Sequence, residues 1–210
     1  MMRPQFCSLG SDPACSVRGL TPTLQSLQRG SSLVEVLVTM IVVAIGLLGL
    51  AAFQAKAQVG AVESYQRAQA AVLLQDMQSR LAGNSAAADD YVTTTPLGVS
   101  DTASTDCAAL AAGGARDKCE WSQALKGASE VRGTAKVGAM QGARGCVTRL
   151  QAMNDALGVC TPAVYLVTVA WQGLHPTKAP AQTCGANQYG AETNRRAVSA
   201  RVAVGLPNCI

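Results

Sequence analysis

Glu35 is an acidic residue at the start of the most apolar stretch of the chain. The 18 residues from Val36 to Phe53, here called the apolar segment, carry no charged side chain. That length is enough for a membrane-spanning helix. An ionisable group on an otherwise apolar helix is costly to place in a membrane, so its presence suggests a function. Because no basic side chain lies inside the apolar segment, Glu35 needs a positive partner from elsewhere.

A positive partner appears if the chain is cut between Gly30 and Ser31. The new α-amino group of Ser31 then lies four residues from Glu35, about one helical turn away. The same amino group can instead meet Glu35 of a neighbouring subunit. A secretory signal peptide is an alternative explanation, but its hydrophobic region usually has only about 7–15 residues. A signal anchor that remains uncut at Gly30 explains the length of the apolar segment as well.

Six of the eight cysteines follow the apolar segment: Cys107, Cys119, Cys146, Cys160, Cys184 and Cys209. An even number of cysteines in an exported, aromatic-poor domain predicts disulfides, and six cysteines allow 15 pairings. Our hypothesis is sequential pairing, with the bonds Cys107–Cys119, Cys146–Cys160 and Cys184–Cys209. Zinc is the competing interpretation, but the chain has no Cys-x-x-Cys pair and the spacings fit zinc sites poorly.

The remaining candidate residues give no argument for catalysis or for a cofactor. His175 is the single histidine of the chain and precedes Pro176, which predicts a loop position and argues against a His-based triad or metal site. Arg195, Arg196 and Arg201 form a small basic cluster, which we interpret as a solvated sheet edge. We expect no DNA partner, because no aromatic stacking platform accompanies these arginines and a net charge of +4 is weak support for one.

A long helix must position Glu35. No proline occurs between Gly30 and Pro96, so one helix from Leu33 to about Leu81 is expected, roughly 70–75 Å long at ~1.5 Å per residue. Its first half is apolar on all sides, whereas residues 54–83 are amphipathic. Side chains of that second half recur at three- and four-residue spacing, in the sets Val62, Tyr65, Gln69, Val72 and Ala70, Leu74, Met77, Leu81.

Residues 84–210 are expected to form a small globular domain after the helix. The composition predicts a loop over 84–115 and a short helix over Cys119–Leu125. Alternating patterns predict strands at Gly145–Arg149, Ala163–Trp171 and Val198–Val204. Strands that follow one long helix imply an α+β fold, in which a small antiparallel sheet with disulfide-tied loops packs on the C-terminal half of that helix.

The N-terminal pattern resembles a known protein family. Arg29-Gly30, followed by Ser31-Ser32-Leu33-Val34-Glu35 and a long apolar helix, resembles the class III signal of type IV pilins. The resemblance implies that residues 1–30 are a leader, that prepilin peptidase cuts after Gly30, and that the new N-terminus at Ser31 is methylated. It also implies that residues 31–53 are the transmembrane and assembly half of the helix, and that Glu35 guides assembly.

The rest of the chain resembles the PilV-type minor pilins. The resemblance rests on Asp76-Met77 through Asn84, on Tyr91, on the segment around Trp121 and on Tyr165–Trp171. It implies a pilin-like fold and a low-abundance, non-enzymatic subunit that acts in pilus assembly, twitching motility or adhesion. The implied partners are prepilin peptidase and other major and minor pilins. The implied location is the inner membrane, with a periplasmic globular domain, and then the extracellular pilus.

Two other functions remain open from the sequence. A pseudopilin of a type II secretion system would share the same N-terminus. A signal-anchored periplasmic protein that binds DNA or another ligand would share the apolar segment but would not be cut at Gly30.

Overall fold

The computed structural model describes residues 32–128, 131–133, 135–136, 140–154, 156 and 159–205. The expected leader, with the processing positions Gly30 and Ser31, lies outside the described residues, and so does Cys209. The chain divides into two compact units, Met1–Leu48 and Gly49–Ile210.

The first helix, α1, is an α-helix of 51 residues, Leu33–Gly83, two residues longer than expected. A 3₁₀ turn (Ser85–Tyr91) follows it. The remaining elements, in chain order, are β1 (Leu97–Gly98), α2 (Gly114–Leu125), β2 (Val131–Arg132), β3 (Ala135–Lys136), β4 (Arg144–Gln151), β5 (Ala163–Gln172), a second 3₁₀ turn (Glu192–Asn194) and β6 (Arg195–Val204).

Strands β1, β4, β5 and β6 form one antiparallel sheet in the order β1-β4-β5-β6, while β2 and β3 form a separate two-stranded hairpin. The last two strands in this order, β5 and β6, are joined along ten consecutive positions without a bulge, from Ala163 opposite Val204 to Gln172 opposite Arg195. All three strands predicted from alternation are present, and each is longer than predicted by one to three residues at one or both ends.

The core of the second unit lies between α1 and one face of the sheet. The helix buries the residues Gln66, Ala70, Leu73, Leu74, Met77 and Leu81, and this stretch is here called the packed segment (Gln66–Leu81). The sheet contributes Val147 from β4 and Tyr165, Val167 and Val169 from β5. The chain therefore has the pilin-like α+β arrangement, with a long N-terminal helix packed on a small antiparallel sheet.

Helix α2 joins the sheet to α1 through Trp121. This side chain is fully buried, and its Nε1 donates a hydrogen bond to the carbonyl oxygen of Leu73 at 2.8 Å. Gly145 of β4 makes room for the indole, since a Cβ there would lie 2.2 Å from Trp121 Cη2. Burial of a large aromatic whose N–H is satisfied contributes strongly to a core, so α2 is part of the fold and not a surface addition.

An ion-pair cluster around Arg80 also fastens α2 to α1. The Arg80 guanidinium pairs with Asp76 of its own helix at 3.0 Å. It also pairs with Asp117 at 2.8 Å and with Glu120 at 2.7 Å, both on α2. Burial alone would lower the pKa of Arg80, but the hydrogen bonds to Glu120, Asp76 and Asp117 outweigh it and raise that pKa. The charge that holds the two helices together is thus present at every physiological pH.

Two expectations from the sequence are corrected by the fold, and the exposure of one stripe of α1 is added. The stretch 84–115, expected to be loop, contains a 3₁₀ turn and β1 and also the start of α2. Helix α2 begins at Gly114, five residues earlier than predicted, after Gly113 with a φ of +113°. Of the two apolar sets on α1, the set that includes Val62 and Val72 is exposed, because the sheet covers only the other stripe.

Candidate functional site

Glu35 lies in the first turn of α1 and is exposed. The carbonyl oxygen of Ser32 accepts hydrogen bonds from the backbone N–H of Glu35 at 2.9 Å and from that of Val36 at 3.2 Å. The helix therefore begins just before Glu35. A carboxylate in the first turn is favoured by the partial positive charge of the helix N-terminus. This partial charge compensates part of the negative charge of Glu35, for which the apolar segment offers no basic side chain.

The surface around Glu35 is apolar on every side of the helix. All 14 large aliphatic and aromatic side chains between Leu33 and Phe53 are more than 40% exposed, from Val36 at 42% to Leu33 at 82%. By length and composition, α1 is able to cross a membrane. These side chains gain nothing from the interior of their own chain, so a bilayer or another apolar helix is needed to remove them from water.

The structure describes one of the three residues of the expected N-terminal site. Glu35 is described, whereas Gly30 and Ser31 lie outside the described residues. The distance between the Ser31 amino group and the Glu35 carboxylate therefore remains a prediction. No group of three or more His, Cys, Asp or Glu side chains placed to hold a metal ion occurs in the described part of the chain.

Two disulfides are described, and they differ in part from the sequential pairing. Cys107 is bonded to Cys119, with 5.5 Å between their Cα atoms, which is the pairing given by the sequence. Cys146 is bonded to Cys184, with 5.8 Å between their Cα atoms. The expected pairs Cys146–Cys160 and Cys184–Cys209 are therefore wrong. Cys160 is also disulfide-bonded, and its partner lies outside the described residues.

The loop after β5 explains the second disulfide. Cys146 stands opposite Thr168 in the β4–β5 register, and Cys184 Sγ lies 3.9 Å from the carbonyl oxygen of Thr168. The loop thus folds back over the face of the sheet turned away from α1, where it buries Ala170 and Tyr189. Sequential pairing assumes that neighbours in sequence are neighbours in space, and the returning loop breaks that assumption.

The basic cluster near β6 is more buried than the sequence suggested. The side chain of Arg195 is 4% exposed and forms an ion pair with Glu192 at 2.6 Å. The side chain of Arg196 is 11% exposed, and its Nη2 lies 3.3 Å from Oε1 of Glu63 on α1. The expected solvated edge applies only to Arg201, which is exposed. Glu63 and Arg196 are 133 positions apart, so no local sequence pattern indicates their ion pair.

Comparison with known proteins gives one match. Residues 25–51 match the family model described as the prokaryotic N-terminal methylation motif. The match supports a type IV pilin-like or pseudopilin protein. No curated protein and no solved structure matches the chain.

The matched interval includes all three residues of the expected N-terminal site. The interval 25–51 contains Gly30, Ser31 and Glu35 and most of the apolar segment. A methylation motif of this class implies processing by prepilin peptidase and, in general, pilin partners. An exposed apolar helix behind such a motif fits a membrane-anchored pilin.

Proposed function

We propose that this protein is a minor type IV pilin of the PilV type, which takes part in pilus assembly and through it in twitching motility or adhesion. The observation that carries the proposal is Glu35 in the first turn of an exposed apolar helix, inside residues that match the methylation motif. The protein is the substrate of prepilin peptidase and has no catalytic role of its own. It resides in the inner membrane before assembly and then in the pilus.

Assembly depends on charge neutralisation in this mechanism. After cleavage between Gly30 and Ser31, the methylated α-amino group of one subunit meets Glu35 of its neighbour inside a bundle of apolar helices. Each charge is costly to bury alone, and removing one partner of a buried pair costs about 3–5 kcal/mol. That energy corresponds to roughly a hundredfold or more in an association constant. The pair therefore favours the assembled bundle over the isolated anchor.

The second unit supports a display role for the rest of the chain. The packed segment and the sheet share one hydrophobic core, and two described disulfides tie the loops of this unit. Disulfides of this kind persist in the oxidising compartments that an exported domain reaches. The minor character and the PilV type rest on the resemblance of residues around Trp121 and of Tyr165–Trp171 to that subgroup.

A pseudopilin of a type II secretion system is the second candidate, because the matched interval 25–51 serves both classes. The two candidates differ in where the mature protein ends up. A signal-anchored ligand-binding or DNA-binding protein is the third candidate, and it differs from both in remaining uncut.

Mass spectrometry of pili sheared from the native host tests the proposal. We expect the protein in the sheared fraction at low abundance, with Ser31 as a methylated N-terminus. A processed and methylated protein that is absent from sheared pili would favour the pseudopilin. An unprocessed protein confined to the membrane would contradict both pilin classes and leave the signal anchor.

A further inference from the structure

Strand β6 is a long edge strand, and no other described strand pairs with its outer side. It is the last strand in the order β1-β4-β5-β6, and it pairs with β5 along all ten of its residues, Arg195–Val204. It contains no proline, and its register with β5 has no bulge. Regular edges of this length are normally blunted because they offer unpaired backbone groups to other chains, so this edge requires an explanation.

The register shows which backbone groups of β6 are open. Gly173 N donates to Asn194 O, so this pair continues the β5–β6 ladder as a hydrogen-bonded pair, and such pairs alternate along antiparallel strands. The even-numbered residues of β6 therefore bond to β5. The N–H and C=O groups of the odd-numbered residues point away from β5; these residues are Ala197, Ser199, Arg201 and Ala203. None of these four has a backbone hydrogen bond to another described residue.

A basic cleft adjoins the N-terminal end of this edge. A cavity of about 320 Å³ is lined by Ala197 of β6, by Glu63 and Arg67 of α1, and by Lys178 and Arg196. A second cavity, of about 240 Å³, shares Glu63, Arg67 and Arg196 with the first. The shared residues place the two cavities side by side, together here called the cleft, and Ala197 places the cleft beside the N-terminal end of the β6 edge.

The cleft combines a paired arginine with two cations that have no ion-pair partner among the described residues. Arg196 is paired with Glu63 at 3.3 Å. Arg67 and Lys178 are both exposed, and neither has an ion pair with any described residue. With Glu63 already paired, the cleft has two positive side chains that are free to receive carboxylates.

We propose that β6 is a docking strand for an extended segment of a partner protein, which adds to the sheet antiparallel to β6 and places acidic residues at its C-terminal end in the cleft of Arg67 and Lys178. An antiparallel addition continues the existing sheet, and backbone hydrogen bonds of this kind supply affinity in strand addition. Because β6 runs from Arg195 to Val204, an antiparallel partner ends beside Ala197 and the cleft. The charge of the cleft sets the direction of the partner and selects its acidic end.

A second copy of the chain is a poorer occupant of the same edge. Strand β6 contains three arginines and no acidic residue. Pairing of two β6 strands would bring like charges together and leave both clefts without a counterion. A partner strand with an acidic end pairs with the outward backbone groups of β6 and also neutralises the cations of the cleft.

Designed peptides test the proposal with the full chain in detergent micelles, independently of pilus assembly. The probe is a fluorescent peptide of about eight residues that alternates threonine and valine and ends in two aspartates. One control carries the two aspartates at its N-terminal end. A second control has N-methyl groups on the alternate nitrogens that face β6. Fluorescence anisotropy should show the probe binding at least about tenfold more tightly than either control.

Variants of the chain test each half of the site. Ala203→Pro removes one outward N–H from the edge, where proline is tolerated, and its matched control Ala203→Ser keeps that N–H. The double variant Arg67→Gln/Lys178→Gln removes both free cations, and its control Lys118→Gln removes one charge on α2. We expect Ala203→Pro and the double variant each to weaken probe binding about tenfold, while the controls remain within about twofold.

Hydrogen exchange decides whether the edge is open. The amides of Ala197, Ser199, Arg201 and Ala203 should exchange fast in the free protein and slow down when the probe binds. Slow exchange in the free protein would mean that another part of the chain covers the edge, and the proposal would be wrong. The proposal would also fail if the probe did not bind, if N-methylation had no effect, or if the reversed peptide bound equally well.

Discussion

Two parts of α1 have the same secondary structure and opposite surroundings. The apolar segment has no buried side chain, although nearly every residue in it is hydrophobic. The packed segment is far more polar in composition, yet it buries six side chains, among them Met77 and Leu81 at 0% exposure. Hydrophobicity alone therefore does not mark the part of a helix that packs in its own domain. The more apolar half is the one that needs a partner outside the chain.

This contrast divides the effects of substitution into two classes. A change in the packed segment removes contacts inside the folded domain and lowers its stability. A change at the N-terminal end of α1 leaves the domain intact and alters processing or assembly.

Gly30→Val should have the largest effect, because it blocks maturation. The resemblance to prepilins implies cleavage after Gly30, where a residue without a side chain leaves room for the peptidase. We expect the full-length precursor to accumulate in the membrane, as measured by immunoblot and intact mass. Gly46→Val is the control, since a Cβ at Gly46 meets nothing within 4 Å, and it should be processed normally. Normal maturation of Gly30→Val would remove the processing site assigned here.

Glu35→Ala should be inserted and cut but should enter pili poorly. An anchor gains from the loss of a charge in an apolar environment, whereas an assembling subunit loses one half of a buried pair, at a cost of about 3–5 kcal/mol. The expected result is a reduction of roughly a hundredfold in the sheared-pilus fraction at equal membrane level. Asp90→Ala is the control because Asp90 is an exposed carboxylate beyond the apolar segment and has no ion pair with a described residue. Wild-type recovery of Glu35→Ala in pili would contradict the assembly role.

Leu81→Ala and Leu50→Ala make the same chemical change in the two parts of α1. Leu81 is 0% exposed and Leu50 is 52% exposed. We expect Leu81→Ala to lower the free energy of unfolding of the globular domain by about 2–5 kcal/mol. Leu50→Ala should change it by less than about 0.5 kcal/mol. Urea unfolding of the full chain in detergent measures both, and equal effects would mean that the apolar segment packs within its own chain.

Local patterns in the sequence were sufficient for the long helix and for the three long strands β4, β5 and β6. The strand Ala163–Trp171 was predicted within one residue of β5, because alternating valines beside Tyr165 and Trp171 encode a two-faced strand directly. The long helix was predicted from the absence of proline and from its spacing. These helices and strands are encoded by the spacing of apolar residues within a short stretch of sequence, so they can be predicted without knowing how the elements pack.

Long-range geometry accounts for what the sequence did not reveal. The Cys146–Cys184 bond depends on a loop that returns over the sheet, and the Glu63–Arg196 pair joins α1 to β6. Neither has a local signature, because both depend on how separate elements pack. Glu35 stands out in the sequence because it breaks a local pattern, as a charge at the start of an apolar run, and its role in assembly stays a prediction.

The two described disulfides should differ in their contribution to stability. Chain entropy assigns about 3 kcal/mol to a loop of 12 residues and about 4 kcal/mol to one of 38, the separations of Cys107–Cys119 and Cys146–Cys184. Replacing both cysteines of a pair by alanine should therefore cost about 1 kcal/mol more for Cys146–Cys184. Urea unfolding measures the difference, and peptide mapping of the wild type confirms the two linkages. A larger loss from the shorter loop would contradict the entropic account.

Asp101 should give the smallest effect, and only in acid. Burial would raise the pKa of Asp101, but hydrogen bonds from Lys126, Ser122 and the backbone N–H groups of Gly98 and Ala103 outweigh it and lower that pKa below 3.8. A carboxylate whose pKa is lower in the folded state stabilises the fold above its unfolded pKa, and this stability is lost as the pH falls toward the folded value. Asp101→Asn should therefore lower stability at neutral pH and flatten its decline below about pH 4. The control Asp90→Asn, at an exposed carboxylate with no ion pair to a described residue, should leave the slope unchanged.

Because Asp101 tethers the end of α2 to β1 and lies outside α1, Asp101→Asn should leave processing and recovery in pili at wild-type levels, and a defect in either would show that the two classes of substitution are not separate.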